Sequence, residues 1–110
     1  MIFSSFTIPV KPVKTTSGGT KVYVVNYEYQ ADIKVFVCDY EYQADLKVYK
    51  VKYDYQANND GEWYFTEYDY QADKKIYFTD YEYQADLKIY FVDYEYLAGW
   101  NNKAKMYLLK

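Results

Sequence analysis

The sequence predicts an all-β fold made of short tandem strands, and three observations carry this. A 13-residue unit recurs, with glutamine at 30, 43, 56, 71 and 84 and Leu97 in the sixth place. The first seven positions of each unit are rich in Val, Ile, Tyr and Phe and alternate with the two-residue period of a strand. A Tyr-Gln-Ala-Asp segment then follows and reads as the reversal of the chain.

The repeats are 21–33, 34–46, 47–61, 62–74, 75–87 and 88–100, and each starts at position one. The third is two residues longer and ends Asn58-Asn59-Asp60-Gly61, where Asp-Gly signals a tight turn. That run lacks the ligand spacing and the closing glutamate of a calcium loop. Residues 1–19 hold both prolines, Pro9 and Pro12, and most of a Thr15–Thr20 run that reads as a flexible linker. They are expected to form an N-terminal extension, with 20–110 as one repeat domain. Residues 101–110 read as a closing segment that packs Met106, Leu108 and Leu109 on the repeats.

Composition narrows the function. The chain has 18 tyrosines and no histidine or arginine, so the usual neutral-pH base and the bidentate phosphate binder are both missing. A net charge of −3 argues against nucleic acid and against an anionic membrane surface. No stretch approaches the ~20 apolar residues that cross a bilayer. With a single cysteine, Cys38, and no signal-like start, a cytoplasmic protein is expected.

Within each strand we expect positions three, five and seven to form the core face, as in Tyr77, Thr79 and Tyr81. Position five is always small: Val25, Cys38, Val51, Thr66, Thr79 and Val92. Cys38 then reads as a packed thiol. In the reversal, Gln30, Gln43, Gln56, Gln71 and Gln84, with the aspartate carboxylates that follow at 32, 45, 73 and 86, read as partners for backbone groups freed at the bend. Ala31, Ala44, Ala57, Ala72 and Ala85 read as places with no room for a larger side chain.

Tyr70 and Lys74 have the spacing of a dehydrogenase pair, but no glycine-rich dinucleotide loop precedes them, so they read as part of the repeat. No catalytic, cofactor or metal site is expected. The expected function is that of a non-catalytic structural or protein-interaction module, its partner being another protein or a second copy of the chain. The alternative is carbohydrate or cell-envelope binding through exposed aromatics, with Trp63 and Trp100 as the candidate ligand surface.

A narrow β-solenoid would stack Lys21 on Lys34 on Lys47, and like charges directly opposite are unfavourable. An up-and-down barrel would point copies of one motif in opposite directions. The six repeats of Tyr-Gln-Ala-Asp type, the lengthened third repeat before Trp63-Tyr64-Phe65, and Ala98-Gly99-Trp100 followed by Asn102-Lys103 together resemble the septknot family. These are small bacterial domains of unknown function. The resemblance covers residues 20–110, and Leu97 in place of the sixth glutamine is its one departure. It implies an all-β ring whose chain forms a seven-crossing torus knot. Each repeat would then lie beside those three and four places away. Strand 34–39 would pair near 75–80 or 88–93 rather than with 47–52.

Overall fold

The structure, a computed structural model, describes residues 18–109. Its strands are β1 (Thr20–Val24), β2 (Ile33–Val37), β3 (Leu46–Val51), β4 (Glu62–Phe65), β5 (Lys74–Phe78), β6 (Leu87–Phe91) and β7 (Gly99–Trp100). β1, β2, β3, β5 and β6 each start one residue ahead of their repeat's opening lysine, at Thr20, Ile33, Leu46, Lys74 and Leu87, while β4 starts with its repeat at Glu62. A three-residue 3₁₀ turn follows each of β1 to β6.

The sheet runs β4-β1-β5-β2-β6-β3-β7, and β3 also pairs with β4, which closes a parallel barrel of six strands. In this order each consecutive strand lies two places further round, so the chain circles the ring nearly twice. That double winding is the path the septknot resemblance implies. β2 pairs with β5 and β6, three and four repeats away, and not with β3. An in-line solenoid is therefore ruled out. β3 and β4 are the one consecutive pair in contact. β7 takes the seventh place but spans two residues, pairing antiparallel with Leu46 and Lys47. The rest of β3 is left to meet β4.

Every interface advances the register by two residues. Position two of one strand meets position thirteen before the next, as in Val22 with Lys74, Ile76 with Ile33, and Ile89 with Leu46. Six interfaces at two residues each give a shear of 12. With ordinary strand spacings, that shear tilts the strands by roughly 50–55°. A parallel crossover usually needs about a dozen residues, yet only eight, 25–32, return the chain from β1 to β2. Short, steep strands leave a short return path. The two-residue step also answers the objection to stacked lysines. Lys21 lies beside Tyr64, Lys34 beside Tyr77, and Lys47 beside Tyr90, a lysine next to an aromatic ring each time.

The core lies on the opposite face from the one expected. Positions thirteen and two fill the barrel: Val22, Ile33, Val35, Leu46, Val48, Trp63, Ile76, Leu87 and Ile89, joined by Leu109. Position three is half-buried outside, and the position-seven tyrosines are exposed. A phenol in this narrow interior would leave its hydroxyl without a partner, whereas Val, Ile and Leu carry no such group. Position five is buried as expected, but it packs outside the central cluster, where its N–H makes the last ladder bond, as Thr79 does to the Val35 carbonyl.

The two ends of the domain are pinned by backbone contacts. Gly18 N–H donates to Asp60 Oδ1 at 2.7 Å, and a side chain on Gly19 would strike the backbone of Ala57 and Asn58. The glycines read as linker are thus ordered against the lengthened third turn. The remainder of the expected extension lies outside the described residues. At the other end, Asn101 Nδ2 donates to the Glu41 and Ala44 carbonyls. The 3₁₀ helix Lys103–Leu109 then lays the buried Met106 and Leu109 against the barrel, as expected of the closing segment.

Two expectations follow for stability. Ile76→Ala should lower it by roughly 2–5 kcal/mol, against no more than about 0.5 kcal/mol for Tyr83→Ala. Denaturant unfolding checks this, and the opposite order would place the core on the tyrosine face. The position-twelve aspartates bridge neighbouring strands: Asp32 accepts from Lys75 N–H at 2.9 Å and donates its own N–H to the Lys75 carbonyl at 2.8 Å. Asp32→Ala should therefore cost about 1 kcal/mol. Asp32→Asn, which keeps an acceptor, should cost less in the same melts.

Candidate binding surface

The 3₁₀ turns carry the exposed chemistry. In each, the position-seven tyrosine is extended and caps the turn, and its carbonyl accepts the N–H of position ten, as Tyr27 does from Gln30 at 3.1 Å. The change from extended to helical backbone at the acidic position eight brings the tyrosines at seven and nine side by side. Six such pairs form, from Tyr27 and Tyr29 to Tyr94 and Tyr96, with ring centroids 5.6–5.8 Å apart. The position-nine rings are 71–83% exposed, although burial of aromatic area is the usual fate of tyrosine. Glu28, Glu41, Asp54, Asp69, Glu82 and Glu95 separate the paired tyrosines in sequence, and all six are exposed.

The glutamines divide into groups. Gln56 Oε1 accepts from the backbone N–H of Lys52 and Tyr53, the bend-supporting role expected. Gln71 and Gln84 instead meet the position-five hydroxyls of Thr66 and Thr79, at 3.0 and 3.2 Å. Gln30 follows Val25 and Gln43 follows Cys38, so neither has a hydroxyl to meet. Both glutamines are exposed. Of the alanines only Ala44 is buried, beneath Asn101. Ala31, Ala57, Ala72 and Ala85 are half-buried, and Ala85 lines an open cleft. The expectation of no spare room therefore holds for one alanine of the five.

Trp63 is not a ligand surface. It is 0% exposed at the aliphatic position two and belongs to the central cluster. Gly61 precedes it at position thirteen with φ +83°, where a Cβ would strike the Lys47 carbonyl. The missing side chain there lets the Lys47 and Gly99 backbones approach closely. The cost of burying the indole is polar, since Trp63 Nε1 and Thr20 Oγ1 are buried without a partner. Trp100 is half-buried in β7, packed on the core and paired with Leu46. Tyr70 lies tilted against Tyr68 and is 78% exposed.

A cleft of about 470 Å³ opens beside the first turn, lined by Tyr23, Tyr27, Tyr29, Gln30, Asp69 and Lys75 among others. A smaller one of about 140 Å³ stands at the sixth repeat, formed in part by Tyr90, Tyr94 and Glu41. The two are equivalent. Each joins positions three and seven of one repeat to the position-eight acid of a ring neighbour. At the end of the strands, Phe65, Phe78 and Phe91 rise from position four. The Lys50 ammonium lies over two of these rings, 4.8 Å from the centroid of Phe65 and 5.8 Å from that of Phe91.

The family model of the 7(1) septoil knot domain matches residues 19–101. The chain belongs to this family. No curated protein and no solved structure matches it. In this septoil knot, the described residues hold no group of three or more His, Cys, Asp or Glu placed to bind a metal ion, and no helix long and apolar enough to cross a membrane.

Cys38 of the septoil knot is a packed thiol, 5% exposed at position five. Burial pushes its pKa above the ordinary 9.0; nearby Lys88 pulls it the other way. Below 9.0 the thiol is neutral in both folded and unfolded chains. Above it the unfolded chain ionises first, so this group costs stability as pH rises. Iodoacetamide at pH 8 should alkylate Cys38 at least ~10-fold more slowly in the folded chain than in denaturant. Equal rates would show that the site opens freely.

Proposed function

We propose that this septoil knot is a non-catalytic interaction module whose partner-facing surface is the belt of paired tyrosines. One observation carries the reading. Twelve tyrosines, 54–83% exposed, ring a domain whose central cluster contains no tyrosine. Tyrosine offers large, rigid contact area with only two side-chain torsions to immobilise, and it is enriched where proteins meet. Exposed aromatic pairs repeated in this number suit a place of contact. The titratable groups are spread round the ring with the repeat, which supports display over catalysis. The interspersed carboxylates suit a protein partner with basic side chains near its contact surface. The buried free thiol of Cys38 supports a reducing, cytoplasmic setting.

The test removes Tyr40, Tyr42, Tyr53, Tyr55, Tyr94 and Tyr96 together by substitution with serine. None of these rings belongs to the core, so the melting temperature should change little. Binding to a partner identified by cross-linking to the unmodified domain, measured with purified components, should weaken by at least ~100-fold, because aromatic anchors dominate interface energy. Undiminished affinity in the folded variant would overturn the proposal.

A further inference from the structure

We infer that the cleft of the first repeat is a binding subsite for one neutral sugar ring. The inference rests on the reading of the turns as a non-catalytic display surface, but it concerns a single repeat. At about 470 Å³ the cleft falls in the range of small-ligand sites. Its aromatic wall is Tyr23, Tyr27 and Tyr29, and its polar groups are Gln30, Asp69 and Lys75.

These polar side chains are uncommitted: among the described residues none hydrogen-bonds the side chain of Gln30, Asp69 or Lys75. This sets the cleft apart from its equivalents. Gln71 and Gln84 are taken by threonine hydroxyls, but position five of the first repeat is Val25, which leaves the Gln30 amide free. In the second repeat, the residues matching Asp69 and Lys75 are Glu82 and Lys88, and they are spent on each other at 3.4 Å. In the sixth repeat, Leu97 replaces the glutamine and the cleft shrinks to about 140 Å³.

The groups present define the ligand. A carboxylate and an amide oxygen accept from hydroxyls, while an ammonium and an amide NH₂ donate to them. A sugar ring needs both kinds on neighbouring carbons. Its apolar C–H face is suited to the electron-rich face of a tyrosine. A phosphorylated ligand would meet the Asp69 carboxylate and a net charge of −3. A quaternary ammonium would meet Lys75. The cleft holds both signs of charge at its wall, and that favours a neutral ligand rich in hydroxyls.

The probes are maltotetraose, cellotetraose and chitotetraose, with glucose 6-phosphate and choline as charged controls. Backbone amide NMR of the full chain should show saturable shifts at residues 23–30, 69 and 75 with at least one neutral tetramer, at one site per chain and millimolar affinity. The side chains of Gln30 and Asp69 are exposed and make no internal hydrogen bonds, so Gln30→Leu and Asp69→Ala should keep the fold. Each should weaken binding by at least ~5-fold, as lost hydrogen bonds to a ligand do. No saturation with any neutral tetramer at about 50 mM, tighter binding of either charged control, or unchanged affinity in both variants would overturn the inference. The six-tyrosine variant spares this cleft and should still bind the sugar. Partner loss in that variant, set against sugar loss in Asp69→Ala, separates the failure of one reading from the failure of the other.

Discussion

The structure depends on the two-residue register step between strands that are remote in sequence. A parallel ladder gives little reason to prefer one register when every strand carries nearly the same residues. Here the repeat supplies its own register stop. Asp32, Asp45, Asp73 and Asp86 each accept the N–H of a lysine that opens a repeat three or four places away, at 2.9–3.0 Å. Each returns its own N–H to the same lysine's carbonyl at 2.7–2.8 Å. A slip by one residue would break both bonds and turn Val and Ile outward. A slip by two would keep the hydrophobic pattern but lose the aspartate. The carboxylate thus discriminates between registers that burial alone leaves close in energy.

From that step follow the shear, the steep tilt and the short return. The tilt flattens the barrel into a ring. A flat ring has a small interior, and Val, Ile and Leu at two positions per repeat nearly fill it. Residues larger than these must go outside or change their surroundings. Trp63 is the one large aromatic in the central cluster. The tyrosines go outside. Those at position three lie along the outer face next to lysine stems, and those at seven and nine stand on the turns. Abundant exposed aromatic surface is the result of a small core combined with an aromatic-rich repeat.

Much of the architecture could be read from the residues, and the remainder could not for definite reasons. The 13-residue period, the strand in each unit and the reversal at Gln-Ala were visible in the sequence, whereas the winding came from the family resemblance. Nothing in thirteen residues tells a chain to skip two places round a ring. The core face was misjudged because position five, small throughout, looked like an interior. It is buried, but outside the barrel beside the turn. Position two held the better signal. It is Val or Ile in five repeats and Trp63 in the other, with no hydroxyl in any copy. Trp63 was therefore legible as core from its place in the repeat, and the general tendency of tryptophan to mark ligand surfaces misled. The aspartate clamp was half legible. A partner for freed backbone was expected at the bend, but the backbone it holds belongs to a distant strand.

Where repeats are alike, the residues serve the ring; where they differ, they distinguish its positions. Gly61 and Trp63 accompany the close of the circuit at β3 and β4. Gly99 stands where four of the other repeats place a clamping aspartate, and there the ladder with β3 turns antiparallel. Val25 in place of a threonine leaves one glutamine unbound, and Asp69 is not tied to Lys75 as Glu82 is to Lys88. Each change is small in volume and costs the ring little. Together they convert one of several equivalent clefts into a site with free donors, free acceptors and an aromatic wall. A symmetric scaffold acquires a particular function by such departures, because the shared residues are already committed to holding the strands in register.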